Sequence, residues 1–294
     1  MNNIDVKGFI RQCDEAFSQK LREAVDQLFD NGNIKVICLS GPTCSGKTTA
    51  AGMILGRLSD MGLRGHLVSV DDFFYDREYL IRLSEYKGLS VPDYDSVDTI
   101  DLAALGSFAR EIFTSDTVHC PRFDFQSGNR TGYDTLNIGK DDIFVFEGIQ
   151  CIYPEVLKVL EDYPCGSIFI SPESPIKTEN NIYYPNEIRL MRRIVRDSNF
   201  RGTSPEKTFA MWQSVRKNEE ENIFPHTDRC DVRIDTTMPY EIGVLKPYLE
   251  NILKNVPPED AFRRNAEEML HKISGESAIS SELIPADSLY REFV

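Results

Sequence analysis

The feature of this chain that most constrains its fold is a glycine-rich segment that ends in lysine and threonine. Residues 41–48 read Gly-Pro-Thr-Cys-Ser-Gly-Lys-Thr, which is the pattern G-x-x-x-x-G-K-T. An apolar run with β-branched residues (35–40) precedes it, and a segment of helical composition (49–60) follows it. A strand, a glycine-rich turn and a helix in this order form a loop whose backbone N–H groups surround phosphates. The sequence therefore predicts a site for a nucleoside triphosphate.

The polar side chains of this loop have predicted roles of their own. We expect the Lys47 ammonium to reach the β- and γ-phosphates and the Thr48 hydroxyl to bind Mg²⁺. ATP and Mg²⁺ are accordingly the predicted cofactors. The predicted ATP-binding residues of the loop are Gly41, Pro42, Thr43, Cys44, Ser45, Gly46, Lys47, Thr48 and Thr49.

Composition and charge narrow the class of partner. A net charge of −14 over 294 residues argues against a general nucleic-acid or anionic-membrane surface. The apolar runs reach about six residues, whereas a membrane span needs about 20. Seven scattered cysteines without a C-x-x-C pair favour reduced thiols. We therefore expect a cytoplasmic protein with a small-molecule partner, no nucleic acid and no membrane; a homo-oligomer is an open alternative.

Short apolar segments alternate with helical ones after the loop, which is typical of a doubly wound, mainly parallel sheet. The pattern predicts a five-stranded sheet of the P-loop NTPase fold, with a β-ribbon or loop insertion (117–137) over the site and an arginine-rich lid. The predicted strands are 35–40, 66–70, 143–146, 167–170 and 231–234. The predicted helices are 49–60, 101–113, 154–161, 186–198, 205–222 and 240–254.

Three regions are predicted along the chain. Apolar positions recur at a period near 3.6 within residues 4–30, which indicates an amphipathic helix in an N-terminal region 1–33. A P-loop core domain would span 34–255. The pattern changes at Pro257-Pro258, so 256–294 is a C-terminal tail that either docks on the core or mediates assembly.

Two carboxylates end predicted strands at the edge where ligands of parallel sheets gather. Asp71 follows the second strand and Glu147 the third. Such an acid can hold Mg²⁺, directly or through water, or accept a proton from an attacking hydroxyl. Thr48, Asp71 and Glu147 form the predicted metal set. No N-K-x-D-type guanine motif is present, which weighs against a GTPase.

A run of five arginines stands out in an acidic chain. Arg189, Arg192, Arg193, Arg196 and Arg201 fall within thirteen positions, and the first four share one helix face. We expect a lid that meets nucleotide phosphates; the alternative is a solvated helix face.

Four aspartates lie between the second strand and the next predicted helix. Asp93, Asp95, Asp98 and Asp101 can cap the helix that begins near Asp101, or accept hydrogen bonds from the hydroxyls of a polyol substrate.

Six segments in order resemble the uridine kinase and phosphoribulokinase group of P-loop kinases, over about residues 34–254. Besides the loop, residues 69–74 resemble S-x-D-x-F-Y and residues 94–101 resemble F-D-H-P-D-A-F-D. Residues 121–130 are similar to P-x-Y-D-F-x-x-H-x-R, residues 146–149 to F-E-G-I, and residues 189–202 to the lid R-x-x-R-R-x-x-R-D-x-x-x-R-G.

The resemblance implies transfer of the γ-phosphate of ATP to a hydroxyl, as from a nucleoside to its 5′-monophosphate. It implies that Asp71 is the general base and that Asp95 binds sugar hydroxyls. Glu147 would serve Mg²⁺. The implied catalytic set is Asp71, Lys47, Arg193 and Arg196, with Arg201 on ATP. The implied substrate-binding set is Asp95, Phe74, Tyr75, Phe123, Phe125 and Arg130, in which each aromatic ring is alternatively a core residue.

Departures from the family pattern concern the acceptor. Gly128 stands where the family has a pocket histidine, Phe123 where it has tyrosine, and Thr203 where it has arginine after the lid. A site without these polar groups reads a base edge weakly. The alternatives are a kinase for a non-nucleoside alcohol, such as a sugar phosphate or pantothenate, and a nucleotide-binding regulatory module.

Overall fold

The core of the protein is a parallel sheet with helices on both faces. The computed structural model describes residues 5–89 and 92–294, and in this part of the chain the central sheet has five parallel strands in the order β2-β5-β1-β6-β9. The strands are β1 Val36–Ser40, β2 Gly65–Ser69, β3 Thr117–Asp124, β4 Asn129–Asn137, β5 Ile143–Glu147, β6 Cys165–Ser171, β7 Ile176–Lys177, β8 Ile182–Tyr183 and β9 Val232–Asp235. The helices are α1 Val6–Asn31, α2 Lys47–Asp60, α3 Arg77–Tyr86, α4 Leu102–Thr114, α5 Pro154–Leu160, α6 Pro185–Phe200, α7 Pro205–Asn218, α8 Glu241–Leu253 and α9 Arg263–Ile273.

The alternation of side chains along β1 explains the two layers of helices. All five residues of β1 are buried. Ile37 and Leu39 face the core formed with α1, α2, α6 and α8, whereas Val36 and Cys38 face the core formed with α4 and α5. A strand that is apolar on both faces must be covered on both. The predicted doubly wound fold is confirmed.

The insertion 117–137 is a β-ribbon. Strands β3 and β4 pair antiparallel, and Gly128 adopts a positive φ of 72° in the connection between them. Two aspartates tie the ribbon to the segment after β2: Asp72 accepts the N–H of Phe123, and Asp76 accepts that of Arg130, both at 2.8 Å. The ribbon therefore stands over the carboxyl end of the sheet.

Helix α3 and a π-turn in the core domain were not predicted. Helix α3 begins just after Asp76. The predicted helix 205–222 is interrupted, because α7 ends at Asn218 and a π-turn covers Glu219–Ile223. The π-turn leaves Glu219 fully buried.

The N-terminal and C-terminal regions share the core of the sheet. Helix α1 buries Ile10, Phe17 and Leu21, and the tail buries Tyr290 and Phe293 in the same cluster. The three-way division into 1–33, 34–255 and 256–294 stays a prediction. Within the described residues, no helix combines the length and the apolar character that a bilayer crossing needs.

Candidate functional site

The glycine-rich segment forms a tight loop between β1 and α2. Cys44 (φ 59°) and Gly46 (φ 96°) both adopt left-handed conformations, which turn successive N–H groups toward one point. A Cβ at Gly41 would collide with the carbonyl oxygen of Ile170, so only glycine fits there. The Lys47 ammonium donates to the carbonyls of Gly41 (2.9 Å) and Pro42 (3.2 Å).

Two arginines of the predicted lid run hold this loop from behind. Arg189 donates to the carbonyl of Thr43 (3.4 Å), and Arg192 donates to that of Cys44 (3.2 Å). Arg189 pairs with Glu219 on the π-turn. Arg189 and Arg192 are fully buried, so they belong to the structural support of the loop and do not face the cavity.

A cavity of about 480 Å³ lies in front of the loop. It brings together residues that are far apart in sequence: the phosphate loop, the ends of β2 and β5, the ribbon and the end of α6. Its lining residues are Thr43, Cys44, Lys47, Thr48, Asp71, Phe74, Arg77, Tyr94, Asp95, Phe123, Phe125, Glu147, Gly148, Ile149, Gln150, Arg193, Arg196, Arg201 and Glu292. A larger groove of about 700 Å³ between α1, α2 and the tail contains none of the predicted site residues.

Two predicted substrate-binding residues do not line the cavity. Tyr75 packs on Tyr79, with ring centroids 4.2 Å apart. The Arg130 guanidinium donates to the carbonyls of Phe73 (3.2 Å) and Phe74 (3.1 Å). Arg130 thus positions the segment that carries Asp71, and the geometry gives no support for contact of either residue with substrate.

The acidic cluster divides between its two predicted roles. Asp101 caps α4 by accepting the N–H of Ala104 at 2.9 Å, and Asp98 pairs with Lys87. Asp95 alone of the four lines the cavity. The capping interpretation therefore holds for Asp101, and the hydroxyl-binding interpretation remains a prediction for Asp95.

Three carboxyl groups of the cavity, those of Asp71, Asp95 and Glu147, have raised pKa values. Burial and the neighbouring Glu147 raise the pKa of Asp71 to about 7, although Lys47 lowers it. Burial and Asp93 raise the pKa of Asp95 to about 6, with Arg193 acting in the opposite direction. Burial also raises the pKa of Glu147. A carboxylate with a pKa near 7 is suited to take up a proton at neutral pH.

The side-chain oxygen atoms of Thr48, Asp71 and Glu147 fit a magnesium ion. Thr48, Asp71 and Glu147 offer a hydroxyl and two carboxylates that repel each other, and a divalent cation would relieve that repulsion. Among residues 5–89 and 92–294, no three acidic, histidine or cysteine side chains converge as a closed metal site. Mg²⁺ is usually held by one or two carboxylates together with the phosphates of the substrate.

Three arginines that line the cavity gather around one buried carboxylate. Asp197 accepts from Arg193 at 3.2 Å and from Arg196 at 3.0 and 2.7 Å, and Arg201 lies 3.8 Å away. The guanidinium groups concentrate positive charge in the cavity, and those of Arg196 and Arg201 are close enough to Cys44 of the loop to interact with it electrostatically. Such charge could stabilise a transferring phosphoryl group.

Six lining residues are outside the predicted site sets. Tyr94, Gly148 and Ile149 lie within segments that resemble the family motifs, whereas Arg77, Gln150 and Glu292 lie outside all of them. Arg77 fills the space beside Gly128, since a Cβ at Gly128 would lie 2.6 Å from its Nε. The amide of Gln150 donates to the carbonyl of Tyr94 (2.9 Å). None of the three belongs to a recurring pattern; only the small residue at position 128, where the family has a larger one, signals that another side chain fills that space.

Comparisons with known proteins agree with this geometry. Residues 36–242 match the family model "Phosphoribulokinase / Uridine kinase family". The chain is 23% identical to uridine-cytidine kinase B of Dictyostelium discoideum over 231 residues, which is 78% of this chain and 86% of that one. It is 24% identical to uridine kinase-like protein 3 of Arabidopsis thaliana over 79% of this chain, but spans 45% of the plant protein.

Solved structures show the same fold. A candidate fructose transport system kinase from Silicibacter sp. TM1040 superposes with a TM-score of 0.50 at 20% identity, over 68% of this chain and 89% of that one. A circularly permuted candidate P-loop kinase from Saccharomyces cerevisiae gives a TM-score of 0.50 at 14% identity, over 74% of this chain and 98% of that one. At these identities the likeness concerns the fold alone.

Proposed function

Because this chain belongs to the Phosphoribulokinase / Uridine kinase family, we propose that it transfers the γ-phosphate of ATP to a hydroxyl group of a small molecule. The observation that carries the proposal is the placement of Asp71. Its carboxylate, with a pKa near 7, lines one cavity with Lys47 of the phosphate loop and with Arg193, Arg196 and Arg201. A base, a phosphate-binding lysine and a cluster of cations are the parts that phosphoryl transfer to an alcohol requires.

The proposed mechanism divides the work among these residues. Lys47 and the N–H groups of the loop hold the β- and γ-phosphates. Thr48, Asp71 and Glu147 would hold Mg²⁺, which supplies neutralisation of charge on the phosphate oxygens. Asp71 takes the proton of the acceptor hydroxyl.

The remaining residues orient the acceptor and stabilise charge. Asp95 accepts a hydrogen bond from a neighbouring hydroxyl, which fixes the direction of attack. Arg193, Arg196 and Arg201 offset the charge that spreads over the transferring group.

A nucleoside is the first candidate for the acceptor. Phe74, Phe123 and Phe125 form an aromatic cluster, with centroids of Phe123 and Phe125 5.3 Å apart. Phe74 and Phe123 are buried, whereas Phe125 is 60% exposed and keeps a face free for a planar base. The uridine and cytidine kinases among the relatives support this candidate.

An alcohol that carries an acidic group is the second candidate, and one observation favours it. The Arg77 side chain lines the cavity and stands beside Gly128, the position at which the family has a histidine. Its Nη2 donates to the carbonyl of Gln126 (3.0 Å); Asp124 is near enough to interact with it electrostatically, but no carboxylate within the described residues lies within salt-bridge distance. A guanidinium is a bidentate partner for phosphate or carboxylate, which suits a sugar phosphate or pantothenate.

An acceptor screen tests the proposal and separates the two candidates. Purified protein with ATP and Mg²⁺ is incubated with nucleosides, sugar phosphates and pantothenate, and products are identified by mass spectrometry. Asp71→Asn should lower product formation by about 10²–10⁴-fold, and Asp116→Asn, a change of an exposed aspartate, should leave it intact.

Arg77→Gln then assigns the acceptor class. If the acceptor is acidic, kcat/KM should fall by about 10-fold or more, since a charge-assisted pair is lost; if it is a nucleoside, kcat/KM should change little. ATP turnover that no acceptor stimulates would contradict the kinase proposal and favour a regulatory module.

A further inference from the structure

The tail covers the phosphate loop with residues 288–293. The Leu289 side chain lies on the loop, since a Cβ at Gly46 would be 2.5 Å from its Cδ1. Residues Leu289–Glu292 form a 3₁₀ turn that begins at Ser288, whose hydroxyl accepts the N–H of Tyr290 at 3.1 Å. This segment lies beyond residues 36–242, to which the family match extends.

The segment is anchored firmly. Leu289, Tyr290 and Phe293 have no solvent exposure. The Tyr290 hydroxyl donates to Glu241 (3.0 Å), and the Arg192 guanidinium lies 5.6 Å from the Tyr290 ring centre and 5.0 Å from that of Phe293. The contacts reach the loop, α6 and α8 at once.

The burial of these three side chains indicates whether the tail leaves the site when nucleotide binds or stays as part of it. Exposing one fully buried side chain of this size lowers an equilibrium constant about tenfold or more. Displacement of all three would therefore weaken nucleotide binding about 10³-fold or more. The tail stays in place when the site is used, and what it presents to the cavity is part of the site.

What the tail presents is the carboxylate of Glu292. Glu292 lines the same cavity as Lys47 and Thr48, and it is near enough to interact electrostatically with Glu147 and Arg196. Its Oε2 is buried and finds no hydrogen-bond partner among the described residues. A buried carboxylate oxygen without a donor is unfavourable, so a bound ligand that supplies a donor gains affinity there.

The chemistry of the nucleotide limits which group this donor can be. Triphosphate oxygens are acceptors and would be repelled by a carboxylate. The O–H donors near the phosphates are the ribose hydroxyls and the water molecules bound to the metal ion.

We propose that Glu292 is a nucleotide-binding residue of this site, and that its carboxylate accepts a hydrogen bond from an O–H group of the metal–nucleotide complex. The inference rests on the proposed function, because it requires that Mg²⁺–ATP occupy the cavity. It adds to the site a residue that lies 91 positions beyond Arg201, the last predicted site residue.

Calorimetric titration of the full chain with Mg²⁺–ATP, without acceptor, tests the inference. Glu292→Gln keeps the shape and removes the charge; it should weaken binding about 10- to 100-fold, as expected for a lost charge-assisted hydrogen bond. Glu282→Gln, a change of an exposed tail glutamate, is the matched control and should bind like the wild type. Unchanged melting temperatures would show that all variants are folded.

Two further titrations identify the donor. If it is a ribose hydroxyl, 2′-deoxy-ATP or 3′-deoxy-ATP should bind the wild type more weakly than ATP does, and Glu292→Gln should no longer distinguish them. If it is a metal-bound water, Glu292→Gln should raise the Mg²⁺ concentration for half-maximal binding and keep the preference for ATP over its deoxy forms. Either pattern supports the inference.

Opposite results overturn it. Binding by Glu292→Gln that equals or exceeds wild-type binding would mean that the carboxylate is idle or competes with phosphate. If Lys47→Ala loses binding while Glu292→Gln keeps it, only this inference fails. If the wild type binds no nucleotide, this inference and the proposed function fail together.

Discussion

Arg192 and Glu241 form an ion pair from which water is excluded. Both side chains have zero exposure, and the guanidinium donates from Nε to Oε2 at 2.6 Å and from Nη2 to Oε1 at 2.9 Å. Arg192 also donates to the carbonyls of Cys44 and Thr236, and Glu241 accepts the hydroxyl of Tyr290. One buried pair thus joins the phosphate loop, the end of β9 and the tail.

Neutralising one partner of this pair should be strongly destabilising. Glu241→Gln leaves the Arg192 charge buried without its counter-charge, so we expect the free energy of unfolding to fall by about 3–5 kcal/mol. Glu250→Gln, which removes the charge of an exposed glutamate 3.5 Å from Lys246, should change it by less than about 1 kcal/mol. Chemical denaturation measures both; equal small losses would contradict the role given to the pair.

Removal of the loop lysine should abolish turnover. Lys47→Ala deletes the point charge expected on the β- and γ-phosphates, so we expect loss of measurable product with any acceptor. The exposed Lys177→Ala is the control and should retain activity. Near wild-type kcat in Lys47→Ala would exclude this loop as the catalytic phosphate site.

The lid arginines should act on the rate more than on binding. Arg193→Ala and Arg196→Ala remove charge that meets the transferring group, so kcat should fall more than ATP affinity does. Arg264→Ala, at an exposed pair with Glu268, is the control. Steady-state kinetics and calorimetry decide the matter. Unaltered kinetics in both lid variants would mean that Arg193 and Arg196 only bind Asp197 and take no part in phosphoryl transfer.

The ionised carboxylate of Asp71 should lower the free energy of unfolding near and above pH 7, where it can act as a base. Below the unfolded pKa of 3.8 the carboxyl is protonated in the folded and in the unfolded protein. As the pH rises from there through the folded pKa of about 7, the free energy of unfolding falls, because the unfolded protein gives up this proton more readily. Asp71→Asn cannot ionise. In chelator and without nucleotide, we expect it to be about 1–3 kcal/mol more stable than the wild type at pH 8. A rise of the pKa from 3.8 to about 7 corresponds to roughly 4 kcal/mol, and the gain should be smaller because the Asp71 side chain keeps some solvent contact.

The pH dependence makes this test specific. The stability gain of Asp71→Asn should largely disappear at pH 4, and phosphorylation should fall by about 10²–10⁴. Asp116→Asn should show neither effect. A gain that is the same at pH 4 and pH 8 would point to packing and away from the charge.

Residues that act locally were predictable from the sequence. The phosphate loop, the strands and the acids at their ends follow from patterns within a few residues, because a buried strand and a tight turn each demand particular side chains. The cavity brings Lys47, Asp71, Asp95 and Glu147 together as the sequence indicates. Their chemical roles stay predictions.

Residues whose placement depends on distant partners were not predictable. Helical spacing puts Arg189, Arg192, Arg193 and Arg196 on one face. However, α6 lies between the core and the cavity. Arg189 and Arg192 point into the core, where they pair with the buried Glu219 and Glu241. Arg77 and Glu292 reach the cavity through the ribbon and the tail, whose packing no periodicity reveals. Sequence spacing shows which side chains share one face of a helix. The direction in which that face points depends on the elements that pack against the helix.

The hydroxyl of Ser40, at the end of β1, donates to the carbonyl of Ile149, 109 residues later in the chain. Strand β1 is the central strand of the sheet. Its partners on both sides, β5 and β6, come after the ribbon in the sequence. Long loops must close before such pairings give any gain in free energy, so folding of this topology is slow. The phosphate loop therefore acquires its shape late, when β5 and β6 have joined, and until then the mostly apolar β1 is an exposed segment prone to aggregation.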